Sequence, residues 1–308
     1  MLFSEKHEIE KEPDKLFLSR NPHIKFIAPA MVSMFILTIV PTVFLFIMSV
    51  TNYQLGWKFD RAKFVGIDNF IRLLSGRDPD FWHSVWISLL FMVVATSIEM
   101  VIGFLLAILL NSSEFKLKPL VIGLMIIPLA MTPSIAAQMW KLMFNSEYGI
   151  LNYFLQVIFD TKVVWLSDTM AFWSILIVDI WQFTPFVTLI LYAGLRSLPN
   201  EPYESAAIDG ATQVQMFFKL TIPMLRKLIN MALLMRSIDS LKLFDTAFVL
   251  TQGGPGNSTE FLSLHIFRLA SAQNGLIGRA SATALVLLAI ITLFSKQLVR
   301  QQRKGEVE

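Results

Sequence analysis

Cysteine is absent from the 308 residues, which excludes disulfides and thiolate metal sites. Charge is scarce. Asp, Glu, Lys and Arg make up 16% of the chain, against about 25% in a soluble domain. The four histidines, His7, His23, His83 and His265, are scattered, with no ligand spacing such as H-E-x-x-H. A metal enzyme is therefore not expected, and no catalytic residue is assigned. No G-x-x-x-x-G-K-[ST] loop occurs, so the chain has no phosphate cradle with which to hydrolyse ATP and needs no cofactor of its own. The net charge of +3 includes no basic patch interleaved with aromatics, so nucleic acid is not an expected partner. The first 25 residues contain no apolar core of a signal peptide; the first membrane span is expected to act as the targeting signal.

What the chain does have is apolar surface: 55% hydrophobic residues and a mean hydropathy of +0.59. Such a chain fits lipid as its main solvent. Six runs are near the roughly 20 apolar residues a transmembrane helix needs. They are Phe26 to Val50, with Pro29 and Pro41; Trp86 to Leu110, with Glu99; Val121 to Phe144, broken by Pro128 and Pro133; Ala171 to Leu195, with Asp179 and Pro185; Leu228 to Leu250, the least apolar; and Ala280 to Val299. An all-α bundle of six spans embedded in membrane lipid is expected. Residues 1–25 form an N-terminal segment, 26–85 the first span and its outer loop, 86–299 the core, and 300–308 a tail. Lys and Arg number about 15 on the side of the N-terminus and about 9 on the other. This bias predicts both termini in the cytoplasm, although the loop from Thr51 to Phe81 is basic and lies outside in this arrangement.

Between the fourth and fifth spans, residues 196–227 are too polar to span and too patterned for a linker. Pro199 and Pro202 suit a helix start. Tyr203 to Ile208 reads as a short helix with Glu204 near its positive end. Gly210 can turn the chain, and Thr212 can cap a second helix that Pro223 should stop. On physics alone, a hairpin lying on the membrane surface and a docking element remain equal readings.

Two segments carry a family resemblance. Glu204-Ser205-Ala206, then Gly210, then Pro223, resembles the EAA loop of binding-protein-dependent ABC importer permeases, with Ser205 in place of the usual first alanine. Leu250-Thr251-Gln252-Gly253-Gly254-Pro255-Gly256-Asn257-Ser258-Thr259 is similar to a segment of the carbohydrate branch (maltose, trehalose and glycerol-3-phosphate type), in the subunit represented by the larger of the two maltose permeases. The resemblance implies a type I importer permease fold in a prokaryotic inner membrane. It implies a second permease subunit, two ATPase subunits that bind ATP and Mg, and an extracytoplasmic solute-binding protein. Glu204, Ser205, Ala206, Asp209, Gly210 and Pro223 would then couple to the ATPase. The positions matching the family's sugar contacts are Asp179, Gln182, Phe183 and Phe186 in the fourth span and Arg236, Asp239, Ser240 and Leu243 in the fifth. A sugar or polyol is the implied solute.

Charges within the spans admit other readings. Arg236, Asp239, Lys242 and Asp245 alternate in sign every three residues, so they could pair along one helix. Glu99 is expected to face a neighbouring helix or subunit. Asp239 and Asp245 would also suit an ion-gradient-driven secondary transporter, which would leave the EAA loop unexplained and for which no inverted repeat is visible.

Overall fold

The computed structural model describes residues 22–112, 116–271 and 275–304. Residues 1–21 and 305–308, and with them most of the expected N-terminal segment and part of the tail, lie outside the described residues. Among the described residues every regular element is helical. Helix α1 is Pro22–Ser49, α2 Asp68–Leu74, and α3 Pro79–Asn111. Helices α4, Lys118–Ala130, and α5, Pro133–Met143, are followed by the short α6, Ile150–Phe159. Helix α7 is Ala171–Arg196. The loop helices are α8, Glu201–Ile208, and α9, Gln213–Met216. Then come α10, Ile222–Leu241, α11, Asp245–Leu250, α12, Leu262–Ser271, and α13, Ile277–Lys304.

Helices α1, α3, α7 and α13 are long and apolar enough to cross a membrane, and α4 with α5 makes a fifth candidate. The third expected span is therefore corrected in part. The break expected at Pro133 is there, with two helices bent by 101° at Met131 and Thr132, whereas Pro128 lies inside α4 and does not break it. Pro133 cannot donate a backbone bond and starts a new helix. The fifth span, expected over Leu228 to Leu250, is also redrawn. Helix α10 starts earlier, ends at Leu241 and is separate from α11. At 20 residues α10 is long enough to span, but Arg226, Lys227, Arg236 and Asp239 keep it from being apolar.

The centre of the bundle is α7 against α3. Gly103 on α3 meets Val187, with a built Cβ only 2.8 Å from Val187 Cγ1, and Gly194 on α7 meets Leu225 and Leu228 of α10. Small residues at such crossings let helix backbones approach where lipid offers no hydrophobic drive. One apolar cluster joins Phe91 and Ala95 on α3 to Ile175 and Val178 on α7 and to Ala247 on α11. A second, at the other end, contains Ala107, Val187 and Leu191. Helix α1 packs along α13 and exposes most of its side chains, Phe26, Met34 and Leu37 among them. A continuous apolar exposure of this kind suits acyl chains.

Candidate functional site

Three helices meet at one buried arginine. Arg236 of α10 donates through Nε to Glu99 Oε2 (2.6 Å) and through Nη2 to Glu99 Oε1 (2.8 Å). The same Nη2 reaches Asp179 Oδ2 of α7 at 2.8 Å and Ser240 Oγ at 3.3 Å. Arg236 is 1% exposed, Glu99 0% and Asp179 1%. A lone charge at mid-bilayer costs about 2.5–3.5 kcal/mol on insertion scales; the bidentate pair offsets this and fixes the side chains. The Phe183 ring sits 4.2 Å from the guanidinium carbon, in cation–π range.

The alternating ladder is thus largely a cross-helix arrangement. The charged partners of Arg236, Glu99 and Asp179, lie on other helices. Only Lys242 and Asp239 pair along the chain, at 3.7 Å and about half exposed. Asp245 accepts from Ser134 of α5 at 3.0 Å. The expectation that Glu99 faces a neighbouring helix is met, by α10.

A cavity of about 220 Å³ opens beside this cluster. Of the eight residues matched to sugar contacts, Asp179, Phe183, Arg236, Asp239 and Leu243 line it. Ser240 is buried as a partner of Arg236. Gln182 is buried too. Its Nε2 donates to the Met131 carbonyl at 2.9 Å, satisfying backbone at the break between α4 and α5, as irregular backbone at membrane depth requires. Its Oε1 has no partner among the described residues. Phe186 packs against the Ala107, Val187 and Leu191 cluster. Sequence reasoning did not assign Glu99 to the site. The available signal was that a carboxylate amid an apolar run must find a cation, and Arg236 lies in another expected span.

The loop after α7 ends at the opposite face of the bundle from the second family segment. Asn111 and Ile108, at the C-terminal end of α3, line a recess with Tyr203, Gln213 and Thr221. Tyr203 Oη and Thr221 Oγ1 are 2.9 Å apart. Helix α8 has no buried residue, and Ile208 is 87% exposed. Glu204, Ser205, Asp209 and Gly210 are exposed and Ala206 half-buried. Gly210 has φ +79°, and its N–H donates to the Ala207 carbonyl at 3.1 Å. Thr212 caps α9 in a box with Gln215, as the sequence predicts. Pro223 does not stop the second helix. The chain widens into a π-helical turn over Phe217–Thr221 and continues as α10. The wide turn accommodates the proline, whose ring would otherwise clash with the carbonyl of the preceding turn.

At the other end, the segment from Thr251 to Thr259 is a non-helical turn tied to the start of α3. Asn257 Nδ2 donates to Asp80 Oδ1 at 2.7 Å, His83 Nε2 lies 2.8 Å from the Asn257 carbonyl, and Leu262 N donates to Ser88 Oγ at 2.8 Å. Beneath it His265 is buried between two acids. Nδ1 is 2.8 Å from Glu260 Oε1, and Nε2 is 3.6 Å from Asp78 Oδ2, an ion-pair rather than a hydrogen-bond distance. Arg268 Nη1 completes the cluster 2.5 Å from Glu260 Oε2. Burial by itself would lower the imidazole pKa, but the two carboxylates outweigh it and push it up to about 9. The same contact with His265 holds Asp78 below the usual carboxylate range, against its own burial.

A histidine raised on folding stabilises fully below its unfolded pKa of about 6.5, and the contribution fades as pH rises through its folded value. The thermal midpoint of the purified protein is accordingly expected to fall between about pH 7 and pH 10. His265→Gln should flatten that decline. A midpoint independent of pH over this window in the native protein would contradict the charged cluster.

A helical bundle with four helices long and apolar enough to cross a membrane, and a charged cavity at its centre, has the make-up of an integral membrane protein. Residues 99–304 match the family model described as binding-protein-dependent transport system inner membrane component, and the chain belongs to that family. It is 38% identical over 242 residues to the trehalose/maltose transport system permease protein MalF of Thermococcus litoralis, covering 78% of this chain and 81% of that protein. It is 33% identical over 230 residues to the sulfoquinovosyl glycerol transport system permease protein SmoG of Agrobacterium fabrum, covering 74% and 73%. The fold is similar to a chain of a bacterial ABC transporter involved in the import of the acidic polysaccharide alginate, with TM-score 0.77 and 21% identity over 94% of this chain and 99% of that one.

Proposed function

We propose that this chain is one of two permease subunits of an ATP-driven importer for a neutral, hydroxyl-rich solute, a mono- or oligosaccharide or a polyol. The observation that carries the reading is the cavity between α7 and α10, where Asp179, Asp239 and Arg236 meet Phe183 and Leu243. Carboxylates and a guanidinium can bond sugar hydroxyls, and an aromatic face suits the apolar face of a sugar ring. The name of the trehalose/maltose relative supports the neutral sugar class; sulfoquinovosyl glycerol carries a sulfonate, so the name of that relative supports only the hydroxyl-rich part of it. The exposed α8 loop, with Glu204 and Gly210, docks a cytoplasmic ATPase subunit that binds ATP and Mg. The Thr251-to-Thr259 turn, at the opposite end, faces the extracytoplasmic binding protein. Both termini then lie in the cytoplasm of a prokaryotic cell, and a second permease completes the path.

Asp239→Ala tests this reading without disturbing the fold, because the side chain is about half exposed. A lost hydrogen bond to a charged group is worth about 1.5–3 kcal/mol, so uptake affinity is expected to weaken roughly 10- to 100-fold. Copurification of the ATPase subunit should be unchanged. Normal uptake by this variant would remove the cavity from the path, and ion-driven uptake by the chain alone would favour a secondary transporter.

A further inference from the structure

We propose that Glu99 sets the solute selectivity of the cavity by masking the charge of Arg236. The proposal rests on the reading of that cavity as a sugar path. The guanidinium bonds its protein partners through Nε and Nη2. Nη1 has no acceptor among the described residues, although Arg236 is 1% exposed. Arg236 lines the 220 Å³ cavity, and a guanidinium N–H without a protein acceptor needs an oxygen there. An acceptor oxygen of a solute, or water in its absence, completes the guanidinium there.

The chemistry of that oxygen depends on what lies behind the arginine. Glu99 takes the guanidinium side-on with both oxygens yet does not line the cavity. Asp179 takes the same Nη2 from the other helix. Two carboxylates against one guanidinium leave the cluster with no net positive charge. The remaining charges at the cavity are Asp239, paired with Lys242, and Asp245, held by Ser134. The solute therefore meets an N–H donor without a net positive charge. A hydroxyl or ring oxygen satisfies it; a carboxylate or sulfonate is repelled by the surrounding acids. Removing the charge of Glu99 leaves the cavity wall unchanged and Asp179 as the remaining carboxylate on the guanidinium; the cation is then less fully masked, so Glu99 acts through Arg236 as a positioning residue.

The test uses the detergent-purified importer complex and follows binding of maltose, trehalose and glucuronate. The native complex should prefer the neutral sugars. Glu99→Gln should shift the ratio of neutral to acidic binding at least tenfold toward glucuronate, and added salt should weaken the gained binding. Glu99→Asp should restore the native ratio. An unchanged ratio in Glu99→Gln, or parallel loss of all three sugars, overturns the proposal, because a purely structural role has no reason to favour the acid. If Glu99→Gln does not accumulate, the uncharged pair Glu99→Gln with Arg236→Gln decides. It should lose at least tenfold in neutral binding and gain no glucuronate; native-like sugar binding by the pair overturns the proposal. Should Asp239→Ala impair uptake while Glu99→Gln keeps the native ratio, the masking role alone fails. Should Asp239→Ala leave uptake intact, the sugar-path reading fails and the masking role with it.

Discussion

Replacing Arg236 with methionine is expected to cost about 3–5 kcal/mol of stability and to cut the amount of protein recovered from the membrane severely. Glu99 Oε1 and Asp179 Oδ2 each lie 2.8 Å from the same Nη2, so they cannot be farther apart than twice that distance. Without the cation, two carboxylates that are at most 1% exposed face each other. Methionine fills the volume but offers no donor, and the lost interaction spans α3, α7 and α10. Neutral amides should repair the damage: Arg236→Met with Glu99→Gln and Asp179→Asn removes all three charges and is expected to regain most of the stability. Thermal midpoints from size-exclusion chromatography in detergent measure both. A single variant within a few degrees of the native protein would show that the cluster is not a structural junction.

Gly210→Pro is expected to reduce transport to background while leaving the chain in the membrane at its native level. Gly210 has φ +79°, and proline is fixed near −65°. Proline also removes the N–H that bonds Ala207. The turn between α8 and α9 must then open, and the exposed face of α8 that carries Glu204 swings away from the ATPase subunit proposed to dock there. The fold should survive, because α8 has no buried residue. Gly210→Ala is the control. A Cβ there meets nothing within 4 Å, so its cost is the left-handed backbone alone, about 1–2 kcal/mol, and transport should fall only partly. Glu204→Lys, which reverses the charge of an exposed residue, should uncouple as Gly210→Pro does. Solute-dependent ATP hydrolysis in vesicles reads all three. Normal transport by Gly210→Pro would assign energy coupling elsewhere.

Much of the architecture is written in local sequence. Helices α1, α3, α7 and α13 are legible as apolar runs because lipid demands length and hydropathy from each span separately. The α8 turn is legible because Pro202, Gly210 and the Thr212 cap act through neighbouring backbone. The family segments at 204–223 and 250–259 are legible for the same reason, being contiguous.

The errors arose where neighbours in space override neighbours in sequence. Pro223 reads as a stop, but a π-helical turn absorbs it and α10 continues to pack on α3 and α7. The third run reads as broken by its prolines, but the size of the break, 101°, depends on Gln182 of α7, which satisfies the Met131 carbonyl. The alternating charges of α10 read as a ladder, but Arg236 finds two carboxylates on other helices at shorter range than its own next acid. The sequence by itself determined the apolar spans, the turn chemistry and the charges that had to be compensated. Only the tertiary structure decided which charges compensate which, because an ion pair between helices depends on how α3, α7 and α10 cross, and no periodicity along one chain segment encodes that crossing.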